Sequence, residues 1–186
     1  TMAALCAVSD FDALVGLLKA ARTGLGPTLS AFEVMWPDYW HVVTHRAKVK
    51  AAVGQGHAQY VLIEAQGTDD KADPPRFQAW LETVMAQGLL ADAAVAQSLA
   101  DVQGFWALRD ACAEFFQVIG PHVSYDVAMP IGRMADFVRQ CKDGLLAAGG
   151  VQSIYYGHVG DGNLHLVAWL DGASLTEQPK AAMDAV

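Results

Sequence analysis

The sequence predicts an α+β fold: two ferredoxin-like, split βαβ subdomains with antiparallel sheets, the second incomplete. Three observations carry this. Apolar patterning over residues 1–100 runs strand, helix, strand, strand, helix, strand. A linking helix over 101–120 follows, and the order strand, helix, strand, strand then restarts within 121–186. A chain of 186 residues that is 53% hydrophobic is also long enough to bury one sizeable core.

Residues 3–8 read as a buried strand. Ser9-Asp10-Phe11-Asp12 then supplies a cap with a carboxylate in the first turn, and Leu14, Leu17, Leu18 and Ala21 recur at helical spacing until Gly24 and Gly26. Over 28–35 β-branched and aromatic residues alternate with small ones and give a second strand, ended by Pro37-Asp38. Residues 39–53 read as a helix that puts His41 and His45 on one face. Arg46, Lys48 and Lys50 stand close by with no carboxylate near, so that face reads as solvated. A third strand covers 59–66, and the turn Asp69 to Pro75 opens a helix whose Phe77, Trp80, Leu81, Val84 and Met85 are core residues. Gly88 closes it, and 92–97 adds a fourth strand.

The linking helix carries Phe105, Leu108, Cys112, Phe115 and Ile119 on one stripe, with Arg109 at the stripe's edge. A guanidinium near apolar surface either finds an anionic partner, because an unpaired buried charge is costly, or runs its stem along the surface to water or a structural carboxylate. Residues 123–129 restart the strand pattern. Pro130 opens a helix with Met134, Phe137, Val138, Cys141 and Leu145 buried, and Gly149-Gly150 ends it. Residues 178–186 begin a helix that stops within about two turns, a length that is marginal alone. The second subdomain is read as truncated there.

Composition narrows the partners. A net charge of −8 argues against nucleic acid and anionic membrane. No apolar run approaches the ~20 residues of a membrane span, and the apolar N-terminus lacks a basic stretch, so it reads as a strand. Cys6, Cys112 and Cys141 sit singly in apolar patterns without C-x-x-C, which suits reduced thiols in the cytoplasm.

The most informative stretch is Ile154 to Trp169. Two strand-type runs flank Gly160-Asp161-Gly162-Asn163, a β-hairpin pattern. With those residues as a four-residue loop, Val159 faces Leu164 and His158 lies opposite His165, Cβ atoms roughly 4.5–5.5 Å apart. Such a pair either caps the hairpin or shares one divalent cation.

Gly157-His158-Val159-Gly160-Asp161-Gly162-Asn163-Leu164-His165 resembles the signature of the FAD-linked oxidase C-terminal domain. This domain is shared by D-2-hydroxyglutarate dehydrogenase, flavin-dependent D-lactate dehydrogenase and the glycolate oxidase D subunit. Weaker echoes lie in Leu29 to Glu33, Phe105 to Arg109 and Tyr125 to Pro130. The resemblance implies oxidation of a D-2-hydroxy acid by hydride transfer to FAD. It assigns Arg109 to the substrate carboxylate and His158 and His165 to a divalent metal, zinc or manganese, that lowers the hydroxyl pKa. Asn163 would meet flavin or substrate, and Gly160 and Gly162 would allow the close approach. Asp161 would pin the turn and orient a histidine, while Tyr125 and Asp126 are read as structural.

The resemblance further implies that FAD is held mainly by a domain before residue 1, and that a Glu-His-Gly segment after residue 186 adds a carboxylate ligand and a histidine. The isolated chain is therefore expected to be inactive. Ala113 and Ser124 stand where the hydroxyglutarate branch has threonine and lysine, which favours a monocarboxylate of lactate or glycolate type. Two other readings remain open. The chain is a non-catalytic ferredoxin-like module that docks on a separate flavoprotein or forms a homodimer, or it is a metal-dependent hydrolase with Glu33 as third ligand.

Overall fold

In the computed structural model, which describes residues 1–172 and 177–185, both halves contribute to one seven-stranded antiparallel sheet. Strand β1 (Met2–Val8) is buried along almost its whole length because β3 (Gln59–Ala65) and β4 (Asp92–Val95) flank it and helices cover both faces. The order β4-β1-β3-β2, with β2 at Leu29–Met35, is that of a complete split βαβ unit. Strands β5 (His122–Ala128), β6 (Gln152–Gly157) and β7 (Asn163–Trp169) continue it as β6-β7-β5, the same arrangement with three strands described.

The halves join through a short seam. Strand β2 pairs with β6 at Val34↔Gly157 and Met35↔Tyr156, and Trp36 N–H adds a bond of 3.0 Å to the Tyr155 carbonyl. Beyond these pairs the strands diverge.

Among the described residues seven α-helices cover the sheet. On one face lie α1 (Phe11–Leu25), α3 (Asp73–Ala86), α6 (Met134–Ala147) and α7 (Glu177–Ala185), sealed by Leu14, Leu18, Phe77, Met134 and Leu145. Asp10 caps α1 by accepting from Ala13 N–H at 2.8 Å, and Gly26 at φ +54° ends it. On the other face lie α2 (Pro37–His41), α4 (Leu99–Asp110) and α5 (Phe115–Ile119), over Tyr39, Trp40, Phe105, Leu108 and Phe115. Trp40 stacks on Tyr60 with centroids 4.0 Å apart.

Three expectations need correction. The helix expected over 39–53 starts earlier, at Pro37, continues as a π-helical turn over Val42–Arg46 and stops there, because Lys48 takes φ +58° and the chain turns away. His41 and His45 do share that short helix, stacked at 4.3 Å. The linking helix is broken by a 3-10 segment at Ala111–Glu114. There the Tyr39 hydroxyl donates to the carbonyls of Arg109 and Leu108 at 2.5 and 3.1 Å, taking over acceptors that a continuing helix would use. The hairpin register also differs, as described below. Residues 173–176 and Val186, which the sequence reading places in the second subdomain, lie outside the described residues.

Candidate active site

Strand alternation selects the residues that can meet. Val34 belongs to one core and Met35 to the other, so Glu33 shares the Met35 face, beneath α4. Arg109 lies in the last turn of α4, and Tyr156 and His165 are cross-strand partners on the same face.

The hairpin turn takes in more chain than four residues. A 3-10 turn over Val159–Asp161 is closed by Asp161 N–H and Asn163 N–H, both to the His158 carbonyl at 2.9 and 3.3 Å. Pairing ends at Tyr156↔His165, so His158 lies in the turn and does not face His165. The two imidazoles still adjoin, edge to face, with centroids 5.3 Å apart. Gly162 adopts φ +74°, and a Cβ there would stand 2.9 Å from the Met129 carbonyl oxygen, whose own N–H bonds Gly162 O. Its need is thus internal packing. Gly160 is less constrained, and its carbonyl accepts from the Arg22 guanidinium of α1.

Arg109, His158 and Glu33 meet in one cluster. Glu33 is 5% exposed. Its Oε2 accepts from Arg109 Nε at 2.9 Å and its Oε1 lies 2.6 Å from His158 Nδ1. Arg109 Nη2 stands 3.4 Å from His158 Nε2, Nη1 stands 3.5 Å from Asp110, and the guanidinium carbon lies 5.5 Å from the Tyr156 ring centroid. Burial works against the Arg109 charge, yet the bond and charge of Glu33 outweigh it and raise its pKa. Burial also raises Tyr156 and keeps it a phenol. His165 is held through Nδ1 by Asp126 of β5, directly opposite it in register.

A second buried carboxylate lies alongside. Glu64 of β3, 7% exposed, accepts from Trp106 Nε1 at 2.8 Å, Ser30 Oγ at 2.8 Å and Gln66 Nε2 at 2.9 Å. Burial alone would raise its pKa, but these bonds prevail and lower it. Between diverging β2 and the hairpin turn opens a notch of ≈ 390 Å³, lined in part by Phe32, Glu33, Trp106, His158, Gly160 and Asp161.

Sequence reasoning brought Arg109, His158 and His165 together, named Glu33 only as a third metal ligand for a hydrolase, and left Asp126 as a structural residue. It gave Asp161 the orienting role that Glu33 and Asp126 hold. The signal was present for Glu33 and Glu64, each a lone carboxylate inside an apolar strand, since a buried charge requires donors. Asp126 alternates onto an exposed strand position and gave no such signal.

The chain matches the family of FAD linked oxidases, C-terminal domain, over residues 1–186. The chain belongs to this family. Among its relatives, a probable mitochondrial D-2-hydroxyglutarate dehydrogenase of Oryza sativa subsp. indica is 34% identical over 171 residues, covering 89% of this chain and 30% of that protein. A putative mitochondrial D-lactate dehydrogenase of Schizosaccharomyces pombe is 27% identical over 176 residues, covering 89% and 34% respectively. The chain thus spans about a third of these relatives' lengths. The fold is shared with p-cresol methylhydroxylase, with a TM-score of 0.66 at 12% identity over 99% of this chain and 41% of that one.

Family membership implies FAD, and the described residues fit an edge contact with it. Asn163 Oδ1 is buried without a hydrogen-bond partner among the described residues, an acceptor that lacks its donor. The expected metal fits less well. Each imidazole has its Nδ1 on a carboxylate, as metal-ligating histidines do. Among the described residues, however, no group of three or more His, Cys, Asp or Glu is placed to hold an ion. A cation at His158 Nε2 would also meet Arg109. The expectation of a metal on His158 and His165 is therefore not met by the residues described, and no step is assigned to one. Nor is Glu33 a free third ligand for a hydrolase, since both its oxygens are engaged. No described helix is long and apolar enough to cross a membrane.

Proposed function

We propose that this chain is the substrate-side part of an FAD-dependent oxidoreductase that oxidises a D-2-hydroxy acid, and that alone it is inactive. The observation that supports this reading most directly is the way Arg109 is held. Glu33 takes the Nε–H, while Nη2 stands 3.4 Å from His158 Nε2 and Nη1 3.5 Å from Asp110, so each terminal nitrogen keeps one further N–H for a substrate carboxylate.

Arg109 binds and orients the acid beside the histidine pair. His165 then takes the hydroxyl proton on Nε2, since Asp126 holds its Nδ1 and stabilises the imidazolium that results. The flavin, bound mainly by another domain, supplies the acceptor for the hydride from Cα. Loss of one proton and one hydride turns the hydroxy acid into a 2-oxo acid, which balances the step. Asn163 lies on the side that meets the flavin.

A monocarboxylate of lactate or glycolate type is favoured because Ala113 offers no donor and Ser124 only a neutral hydroxyl where a second carboxylate would call for a positive charge. Cys6, Cys112 and Cys141 are all free thiols, which suits a reducing cytoplasm. The test is steady-state turnover of the intact flavoprotein with D-lactate, glycolate and D-2-hydroxyglutarate. Higher kcat/KM for either monocarboxylate is expected. Preference for D-2-hydroxyglutarate would overturn the choice of acid, and inertness towards all three would overturn the reaction.

A further inference from the structure

The two histidines of the turn are alike in sequence context but differ in how their ring nitrogens are used. His158 has partners on both nitrogens, Glu33 Oε1 at 2.6 Å on Nδ1 and Arg109 Nη2 at 3.4 Å on Nε2. His165 has one, Asp126 on Nδ1, and its Nε2 has no hydrogen bond among the described residues. Their carboxylates differ in burial: the Glu33 side chain is 6% exposed and that of Asp126 70%, while the imidazoles run the other way, His158 at 43% and His165 at 23%.

We propose that Glu33 is a positioning residue that divides the labour of the pair, tying His158 to the Arg109 clamp and leaving His165 as the imidazole with a ring nitrogen free for substrate. The inference rests on the reading of Arg109 as the carboxylate clamp.

The argument is one of donors and acceptors. An ionised carboxylate only accepts and a guanidinium only donates. Set between them, the His158 ring is compatible with a single neutral tautomer, Nδ1–H towards Glu33 and the Nε2 lone pair towards Arg109. The other tautomer places N–H against N–H and a lone pair against a carboxylate oxygen. Glu33 also takes the Nε–H of Arg109, so one side chain fixes the guanidinium and the imidazole together. His165 faces one exposed carboxylate and lacks the second restraint.

The test is a long-range ¹H–¹⁵N correlation spectrum of the imidazoles in the ¹⁵N-labelled chain, recorded well above the ~6.5 at which histidine titrates. In the unsubstituted chain His158 is expected as the Nδ1–H tautomer alone. Glu33→Leu, which removes the acceptor from Nδ1 and the bond that holds Arg109, should abolish that single tautomer while the His165 signals and the backbone amide dispersion persist. Asp126→Ala should do the reverse, altering His165 and sparing His158. Finding His158 as Nε2–H in the unsubstituted chain, or unmoved in Glu33→Leu, would overturn the proposal. Should Glu33→Leu fail to fold, the unsubstituted spectrum and Asp126→Ala still decide. The spectra need neither flavin nor substrate, so failure of the proposed reaction in the intact enzyme is a separate outcome.

Discussion

Glu33 and His158, 125 residues apart in the chain, meet at 2.6 Å across the seam between the two halves of the sheet. The contact joins the second strand of the first half to the turn of the second. The same carboxylate holds Arg109 from a third element, so removing the guanidinium leaves the Glu33 charge buried with only His158 to neutralise it.

Arg109→Met should therefore destabilise the chain by about 3–5 kcal/mol, the usual cost of breaking a buried pair by deleting one partner. Adding Glu33→Gln to Arg109→Met should recover much of that loss, because the stranded charge is then gone. Urea unfolding of the two single variants and the double variant measures the coupling.

The two glycines of the turn should respond differently to alanine. Gly162→Ala meets both a positive φ and the Met129 carbonyl, and a loss of about 1–3 kcal/mol is expected. At Gly160 the nearest atoms to an added Cβ are Leu18 Cδ1 at 3.7 Å and Arg22 Nη2 at 3.9 Å, so Gly160→Ala should be close to neutral. Thermal melts of both variants test the contrast.

Glu64 should shape the acid limb of stability. Its folded pKa is depressed, so its contribution is present above the ordinary glutamate value of about 4.3 and is lost as pH falls through the lower folded value. Glu64→Gln should be less stable than the parent at neutral pH, with the gap narrowing below about pH 4. Chemical denaturation across that range is the measurement.

The thiols should react in a fixed order. Burial, aided by the charge of Asp92, pushes Cys6 up to about 12, and burial also raises Cys141. Cys112 is partly exposed. A disulfide reagent near neutral pH should modify Cys112 first, and Cys6 and Cys141 only on unfolding. Labelling of Cys6 at the rate of Cys112 would show that the sheet opens readily.

Much of this was legible from residue patterns because the determinants are local. The Asp10 cap, the Leu14 to Ala21 stripe and the buried run of β1 each name their element without help from elsewhere. The site was legible only in part. Arg109 and the histidines stood out through the family motif, but the partners of these residues depend on strand order, which puts β2 beside β6 and β5 beside β7. The turn was misjudged by two residues because glycine tolerance marks where a chain can bend, not where cross-strand pairing ends. The linking helix breaks for a reason invisible in its own residues, the hydroxyl of Tyr39.

The two-pair seam has a consequence for how the molecule is built. Most strand contacts of each half stay within that half, whereas Glu33 and His158 belong to different ones. Each half can therefore gather most of its own sheet early, but the Glu33–Arg109–His158 cluster exists only once the two have docked, and it carries the loop-closure cost of that late step. Assembly of the site is then a reporter of docking. Substitutions along the seam, at Val34 and Met35 beside Glu33 or at Gly157 beside His158, should disturb the cluster by changing how firmly the two halves hold together.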